Sequence, residues 1–284
     1  MNSPGLMVKL FRRTLRRVRA HFRYGSLTGS PIFFANSFPK SGTHLLTQVL
    51  QGFPNLGAVV DSGLPAIVTF DGPTGEPRPL ASILQDLHRL RDGDIAYGHL
   101  HAVPEIVAEL TRKGVVPYFI FRDPRDVAVS HVHYVTEMDA DHVHHRYYAQ
   151  GLATFDERLQ VSILGIPDLE IPFPDIRKRF EPYLGWIERP EVLALRFEDF
   201  IQERGETLGR ILDRAEARGF QGNIPRDKAL QILEAGIIPE KSPTFRSGKT
   251  GKWRDAFSEK HKSIFKEVTG DLLIQLGYET HQDW

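Results

Sequence analysis

The stretch FFANSFPKSGTHLLTQVL, Phe33–Leu50, joins an apolar run to a helical pattern through Pro39-Lys40-Ser41-Gly42-Thr43-His44. Where a strand turns into a helix, the unpaired N–H groups of the first helical turn point at any anion placed there. Gly42 lets the backbone approach that anion, Ser41, Thr43 and His44 offer side-chain donors, and Lys40 adds a charge. The loop lacks the Gly-Lys-Ser/Thr ending of the common nucleotide-binding P-loop. Taken alone, it is equally a surface turn capped by serine or threonine.

Two further stretches carry residues of the same kind. FRDPRDVAVSHVHY places Arg122 at the end of an apolar run and Ser130 two turns into the next helical pattern. Arginine clamps a phosphate through two parallel hydrogen bonds; the plainer reading is a surface ion pair of Arg122 with Asp123 or Asp126. TFRSGKTGKW surrounds two glycines with Arg246, Lys249 and Lys252, a composition that suits a loop closing over an anion, or simply a mobile loop. AYGHLHAVPE sets His99 and His101 at a strand end, where a histidine with no other context is usually structural, although an unperturbed imidazole titrates near neutrality. His131, His133, His142, His144 and His145, with Asp139 and Asp141, invite a metal, but their spacing fits no ligand template and no metal is expected.

The elements that must position these residues alternate. Strands are expected at Ile32–Ser37, Ala58–Val60, Ile95–Leu100, Val116–Arg122 and Val192–Phe197. Helices are expected at Thr43–Gly52, Leu80–Arg91 and Pro104–Lys113, from an Asp123 cap through Val135, and near 147–163, 175–188, 199–218, 225–235 and 258–277. This rhythm implies an α/β fold with a mostly parallel sheet flanked by helices, whose ligands bind at the carboxyl ends of the strands.

Composition bounds the partners. The 284 residues suffice for one large domain or two small ones. Zero net charge gives no global field for nucleic acid, and the absence of cysteine excludes thiolate chemistry and disulfides. No apolar run is bilayer-length and no signal peptide is visible, so a cytoplasmic location is expected. Residues 1–24 hold seven basic residues and no acid, interleaved with Leu6, Met7, Leu10, Phe11, Leu15, Val18 and Phe22 at helical spacing. That is the pattern of a helix lying on an anionic membrane surface, or of a basic helix packed on an acidic body.

In their order, these segments resemble the sulfotransferase family that uses 3′-phosphoadenosine 5′-phosphosulfate (PAPS). SFPKSGTHLL resembles the family's 5′-phosphosulfate loop, Pro-Lys-Ser-Gly-Thr-Thr-Trp. FRDPRDVAVSHVHY resembles its 3′-phosphate motif, Arg-x-Pro-x-Asp-x-x-x-Ser. LRFEDF is similar to its Tyr-Glu-Asp segment, and FRSGKTGKWRDAF to its late Arg-x-Gly-x-x-Gly-x-Trp loop. The resemblance spans Pro31 to Tyr278. With the basic amphipathic segment set apart as 1–29, it implies a single P-loop-like sulfotransferase domain over 30–284. It also implies in-line sulfuryl transfer from PAPS to a hydroxyl or amine of a small molecule, lipid or glycan, leaving PAP.

By matching position, Lys40, Ser41, Gly42, Thr43 and His44 are expected at the 5′-phosphate end, with Lys40 also neutralising the leaving oxygen. Arg122 and Ser130 are expected at the 3′-phosphate, joined by Arg246, Ser247 and Gly248. Phe197 takes the place of the family's nucleotide-side tyrosine. His99 matches the general base, with His101 in its place if the register differs by two residues. A sulfuryl group carries less charge than a terminal phosphate, so positioning and fixed donors can do without a metal.

Departures from the pattern are equally specific. Leu45 stands where many relatives stack a tryptophan on adenine, Ser247 replaces a common lysine, and the family's short dimer motif is absent. Two competing readings remain at this point: a small-molecule kinase, which would want Gly-Lys-Ser/Thr and a magnesium carboxylate, and a nucleotide-binding module without catalysis.

Overall fold

The computed structural model describes residues 4–242 and 248–284. Six strands, Ile32–Ser37 (β1), Val60–Asp61 (β2), Ile67–Val68 (β3), Asp94–His99 (β4), Val115–Phe121 (β5) and Leu193–Arg196 (β6), pair in parallel. Their order is β2-β4-β1-β5-β6, with β3 also against β4. All residues of β1 and β5 are buried, because helices cover both faces of the sheet. Alternation divides them between two cores: Ile32, Phe34, Phe119 and Phe121 face one, while Phe33, Ala35, Val116, Tyr118 and Ile120 face the other. The carboxyl ends of β4, β1 and β5 thus lie side by side, and the segments that carry His99, Lys40 and Arg122 leave from them in that order.

Most expected elements appear within a residue or two. Strand β3 has no counterpart among the expected strands, being only two residues long; it closes on β4 at Gly98, where a Cβ would run into the Ile67 carbonyl oxygen. The helices expected near 147–163, 199–218 and 258–277 are each divided. Tyr147–Gly151 forms one π-helical turn, after which Thr154 and Glu157 cap a new helix, Phe155–Leu164. Phe197–Gln202 and Arg204–Ala217 are separated at Glu203, and Glu259–Thr269 and Leu272–Gln275 at Gly270 and Asp271. Phe197 belongs to the helix after β6 rather than to the strand, which turns its ring toward the site.

Pro4–Tyr24 is a helix docked on the sheet edge through its arginines. Arg13 and Arg17 both bind Asp94, the fully buried first residue of β4, and Arg16 lies 3.2 Å from the Asp61 carboxylate. Asp94 also accepts from the Arg91 N–H, so this buried carboxylate is both charge-paired and hydrogen-bonded. No helix among the described residues is long and apolar enough to cross a membrane.

Candidate active site

The loop after β1 bends sharply before its helix, Thr43–Leu50. Lys40 has φ +66° and Gly42 φ +97°, both in the left-handed region. Gly42 is the N-cap of that helix and packs under the Phe197 ring; a Cβ there would lie 2.7 Å from Phe197 Cδ2. A Gly42→Ala chain should therefore lose about 1–3 kcal/mol of stability in denaturant titration, from the combined strain and clash. An unchanged unfolding midpoint would show that the Phe197 ring yields freely.

The interior of the loop is poised for an anion. Ser41 is fully buried and its Oγ has no hydrogen-bond partner among the described residues. Buried orphaned donors are rare in folded proteins and cluster at functional sites. Thr43 Oγ1 is 2.8 Å from Ser37 Oγ. Lys40 Nζ lies 3.6 Å from the centre of the Tyr134 ring, and the Tyr134 hydroxyl donates to Asp139. Burial, followed by the Arg122 charge and partly offset by Asp139, lowers the Lys40 ammonium to about 8. His44, half-buried at the start of the helix, is held below the usual histidine range by burial and by Lys40.

A second cationic corner forms at the end of β5. Arg122 donates to Asp126 Oδ2 at 3.1 Å and to the Lys249 carbonyl at 3.0 Å, while its guanidinium lies 4.7 Å from the Phe197 ring centre. Its Nε is buried without a partner among the described residues. Arg122 and Asp126 do form an ion pair, but with the Asp126 carboxylate buried it is not a surface pair, and it does more. Asp126 also accepts from the N–H groups of Gly251 and Trp253, so one carboxylate ties the late glycine loop to Arg122. Asp123 pairs instead with Arg125, whose guanidinium is stacked between Trp253 and Trp284 and bound to Glu279. Gly248 begins the described part of the late loop with φ +59°; Arg246 and Ser247 lie outside the described residues. Ser130 is half-buried in the helix Pro124–His133, and no hydrogen bond links it to Arg122 among the described residues.

His99 ends β4 beside this loop. Its Nδ1 lies 3.0 Å from the Ser37 carbonyl and 3.0 Å from Ser37 Oγ. A carbonyl only accepts, so the Nδ1–H is the donor and Nε2 keeps its lone pair. Burial lowers the His99 pKa against the opposing pull of the Ser37 carbonyl, and His44 and Lys40 lower it further, so the ring is neutral at pH 7. His101 sits edge-on between Phe70 and Tyr183, and burial lowers it to about 4.

The histidines after Ser130 pack on one another instead of converging. His131 stacks on Phe173, His142 meets His131 and Tyr134 edge-on, and His144 and His145 bond the carbonyls of Ile171 and Val135. Burial holds His131 well below its usual value and His142 at about 4. Among the described residues no group of acids and histidines is arranged to hold a metal ion.

A cleft of about 320 Å³ opens beside the loop after β1, lined by His44, Thr47, Gln48, Tyr97, Ile238 and Lys241 among others. The Gln48 amide clasps Ile238 from both sides, donating to its carbonyl at 2.8 Å and accepting its N–H at 3.1 Å. Sequence reasoning misses the parts played by Gln48, Asp126, Tyr134 and Asp139. Only Asp126 carries a signal, as the acidic position within Arg-x-Pro-x-Asp.

The family model for the sulfotransferase domain matches residues 31–277. Among solved structures, retinol dehydratase in complex with androsterone and the inactive cofactor PAP is similar, at TM-score 0.58 and 19% identity, covering 85% of this chain and 80% of that one. Mouse sulfotransferase SULT7A1 complexed with PAP is similar at TM-score 0.56 and 18% identity, covering 94% of this chain and 91% of that one. At such identities the likeness is one of fold. A search of curated proteins finds no significant match.

Proposed function

Since this chain belongs to the sulfotransferase domain family, we propose that it carries out sulfuryl transfer from PAPS to an acceptor hydroxyl or amine, with His99 as general base and Lys40 on the leaving group. The observation that carries this reading is that His99 and the Lys40 loop leave the ends of the adjacent strands β4 and β1, with Ser37 bonding both the His99 ring and Thr43 of that loop. PAPS supplies an activated sulfuryl group on a good leaving phosphate.

The chain's own residues do the rest. The helix N-terminus after Gly42, Ser41 Oγ and Thr43 hold the 5′-phosphate end, where the buried Ser41 hydroxyl gains the partner it lacks. Arg122, with its orphaned Nε, binds the 3′-phosphate together with Ser130 and the late loop that Asp126 fastens. Gly248 belongs to that loop, and Arg246 and Ser247 are assigned to the same role by motif. His99 Nε2 takes the acceptor proton as the acceptor oxygen or nitrogen bonds to sulfur. The bond from sulfur to the 5′-phosphate oxygen breaks, and the Lys40 ammonium meets the charge left on that oxygen. Sulfated acceptor, PAP and one proton are the products.

The cleft beside His44 takes the adenine ring in place of a tryptophan stack, with Ile238 held over it by Gln48. Gln48→Ala removes both hydrogen bonds to Ile238, at about 1 kcal/mol each. The PAP dissociation constant should rise about tenfold in calorimetry; an unchanged constant places the base elsewhere.

The neighbour bound to androsterone makes apolar alcohols the first acceptors to try. Incubation with sulfur-labelled PAPS and a panel of such alcohols, phenols, amines and sugars tests the whole reading. Label transfer supports it. Tight PAP binding with no transfer across the panel and no slow hydrolysis of PAPS favours a binding module.

A further inference from the structure

The N-terminal helix turns its amphipathic pattern outward. Arg13 and Ala20 are buried against the body, with Arg16 and Arg17 half-buried beside Asp61 and Asp94. The side left in solvent carries Val8, Phe11, Leu15, Val18 and Phe22, with Phe11 65% and Phe22 85% exposed. These positions recur at three- and four-residue steps, so they form one stripe along the helix. The side chains of Leu6, Met7, Lys9 and Leu10 lie outside the described residues.

An isolated exposed leucine needs no explanation, but a contiguous stripe does. The charges beside it identify what covers it. Arg12, Arg19 and Arg23 are exposed, and the helix holds no acidic residue. Arg12 and Arg19 make no ion pair among the described residues, whereas Arg13, Arg16 and Arg17 are engaged in docking. A second copy of the same helix would set arginines against arginines with no acid to answer them. An anionic surface answers all three.

We infer that this helix lies on an anionic lipid bilayer, with the stripe in the headgroup–acyl boundary and Arg12, Arg19 and Arg23 against lipid phosphates. The ion pairs to Asp94 and Asp61 already hold the stripe outward in the free protein, so little ordering remains for binding to cost. One such helix gives reversible, salt-sensitive attachment. The inference concerns where the enzyme works and stands apart from the acceptor assignment.

Co-sedimentation of the full chain tests it, using vesicles of phosphatidylcholine alone or mixed equally with phosphatidylglycerol. The chain should pellet with the anionic vesicles, at least about tenfold more strongly than with the neutral ones, and be released by salt. Each of Arg12→Gln, Arg19→Gln and Arg23→Gln should weaken partitioning roughly fivefold. The double variant Phe11→Ser/Phe22→Ser should abolish it while leaving circular dichroism unchanged, since both rings face solvent. Failure of the wild-type chain to bind anionic vesicles overturns the inference, as does equal partitioning of wild type and double variant. So does a dimer in sedimentation that the double variant dissolves, since the stripe then belongs to a second copy.

Discussion

A His99→Ala enzyme is expected to lose about 10²–10⁴-fold in turnover while binding PAP as the wild type does, because a positioned base contributes on that scale and touches the acceptor rather than the nucleotide. The expectation rests on the tautomer. The Ser37 carbonyl accepts a hydrogen bond from Nδ1–H, which leaves the Nε2 lone pair to accept a proton. It also rests on protonation: burial lowers the His99 pKa from its usual value of 6.5, so the neutral base persists into mild acid. Activity measured as kcat/KM should fall only when pH drops below that range, as the imidazole gains its proton. His101→Ala is the paired control and should turn over almost normally, since that ring is nested between Phe70 and Tyr183 and its pKa of about 4 makes it a weak base. Initial rates with saturating PAPS and PAP calorimetry on both variants decide the matter. Near-normal turnover in His99→Ala removes it from the mechanism.

Lys40→Ala should lower kcat by about 10²–10³-fold, the usual cost of removing one group aimed at developing charge. Lysine and alanine bear the same steric penalty at φ +66°, so the fold itself should be little affected by that change. Lys40→Gly sharpens the contrast. It relieves the left-handed strain, so its unfolding midpoint should equal or exceed that of the wild type while turnover is lost. Stability and activity would then move apart at one residue, the mark of a strained functional position.

The pH profile gives a second readout of Lys40. Its pKa is lowered to about 8, so the ammonium proposed to meet the leaving group loses its proton as pH rises through that value in the free enzyme. An alkaline limb near pH 8 is expected in kcat/KM. In kcat the limb should move upward, because bound anions favour the charged lysine. An alkaline limb absent from both profiles would mean that Lys40 carries no such charge to the reaction.

Much of the local architecture is legible in the residues themselves. PKSGTH after an apolar run reads as a strand, a tight turn and a helix start, because Gly42 meets a backbone need, the left-handed conformation before the helix, that acts over a few residues. Asp123-Pro124 announces a helix by the same local logic, and the Asp123 side chain does accept from the Arg125 N–H. The divided helices are less legible. Thr154 and Glu157 form a capping box inside a pattern whose apolar spacing runs on, so periodicity outvotes the cap.

The long-range joins leave no trace in the sequence. Nothing in FRDPRDVAVS says that Asp126 reaches across 125 residues to the Gly251 N–H, or that Phe197 must lie over Gly42. Nor does QVLQGF announce that Gln48 clasps Ile238. The amphipathic pattern of residues 1–24 does announce a helix, but not its orientation. The apolar stripe of such a helix ordinarily turns inward; here one buried carboxylate, Asp94, draws the arginines inward instead.

The sequence by itself determined which residues can hold an anion and which can move a proton, since those properties belong to side-chain chemistry and to turns closed by neighbours. Only the tertiary structure decided which of them meet. Parallel pairing of β4 with β1 sets His99 beside the Lys40 loop, β5 on the other side of β1 brings Arg122, and the shared Asp126 brings the late glycine loop. Those contacts join residues far apart in the chain, and packing of the two cores, to which no local signal points, fixes their register.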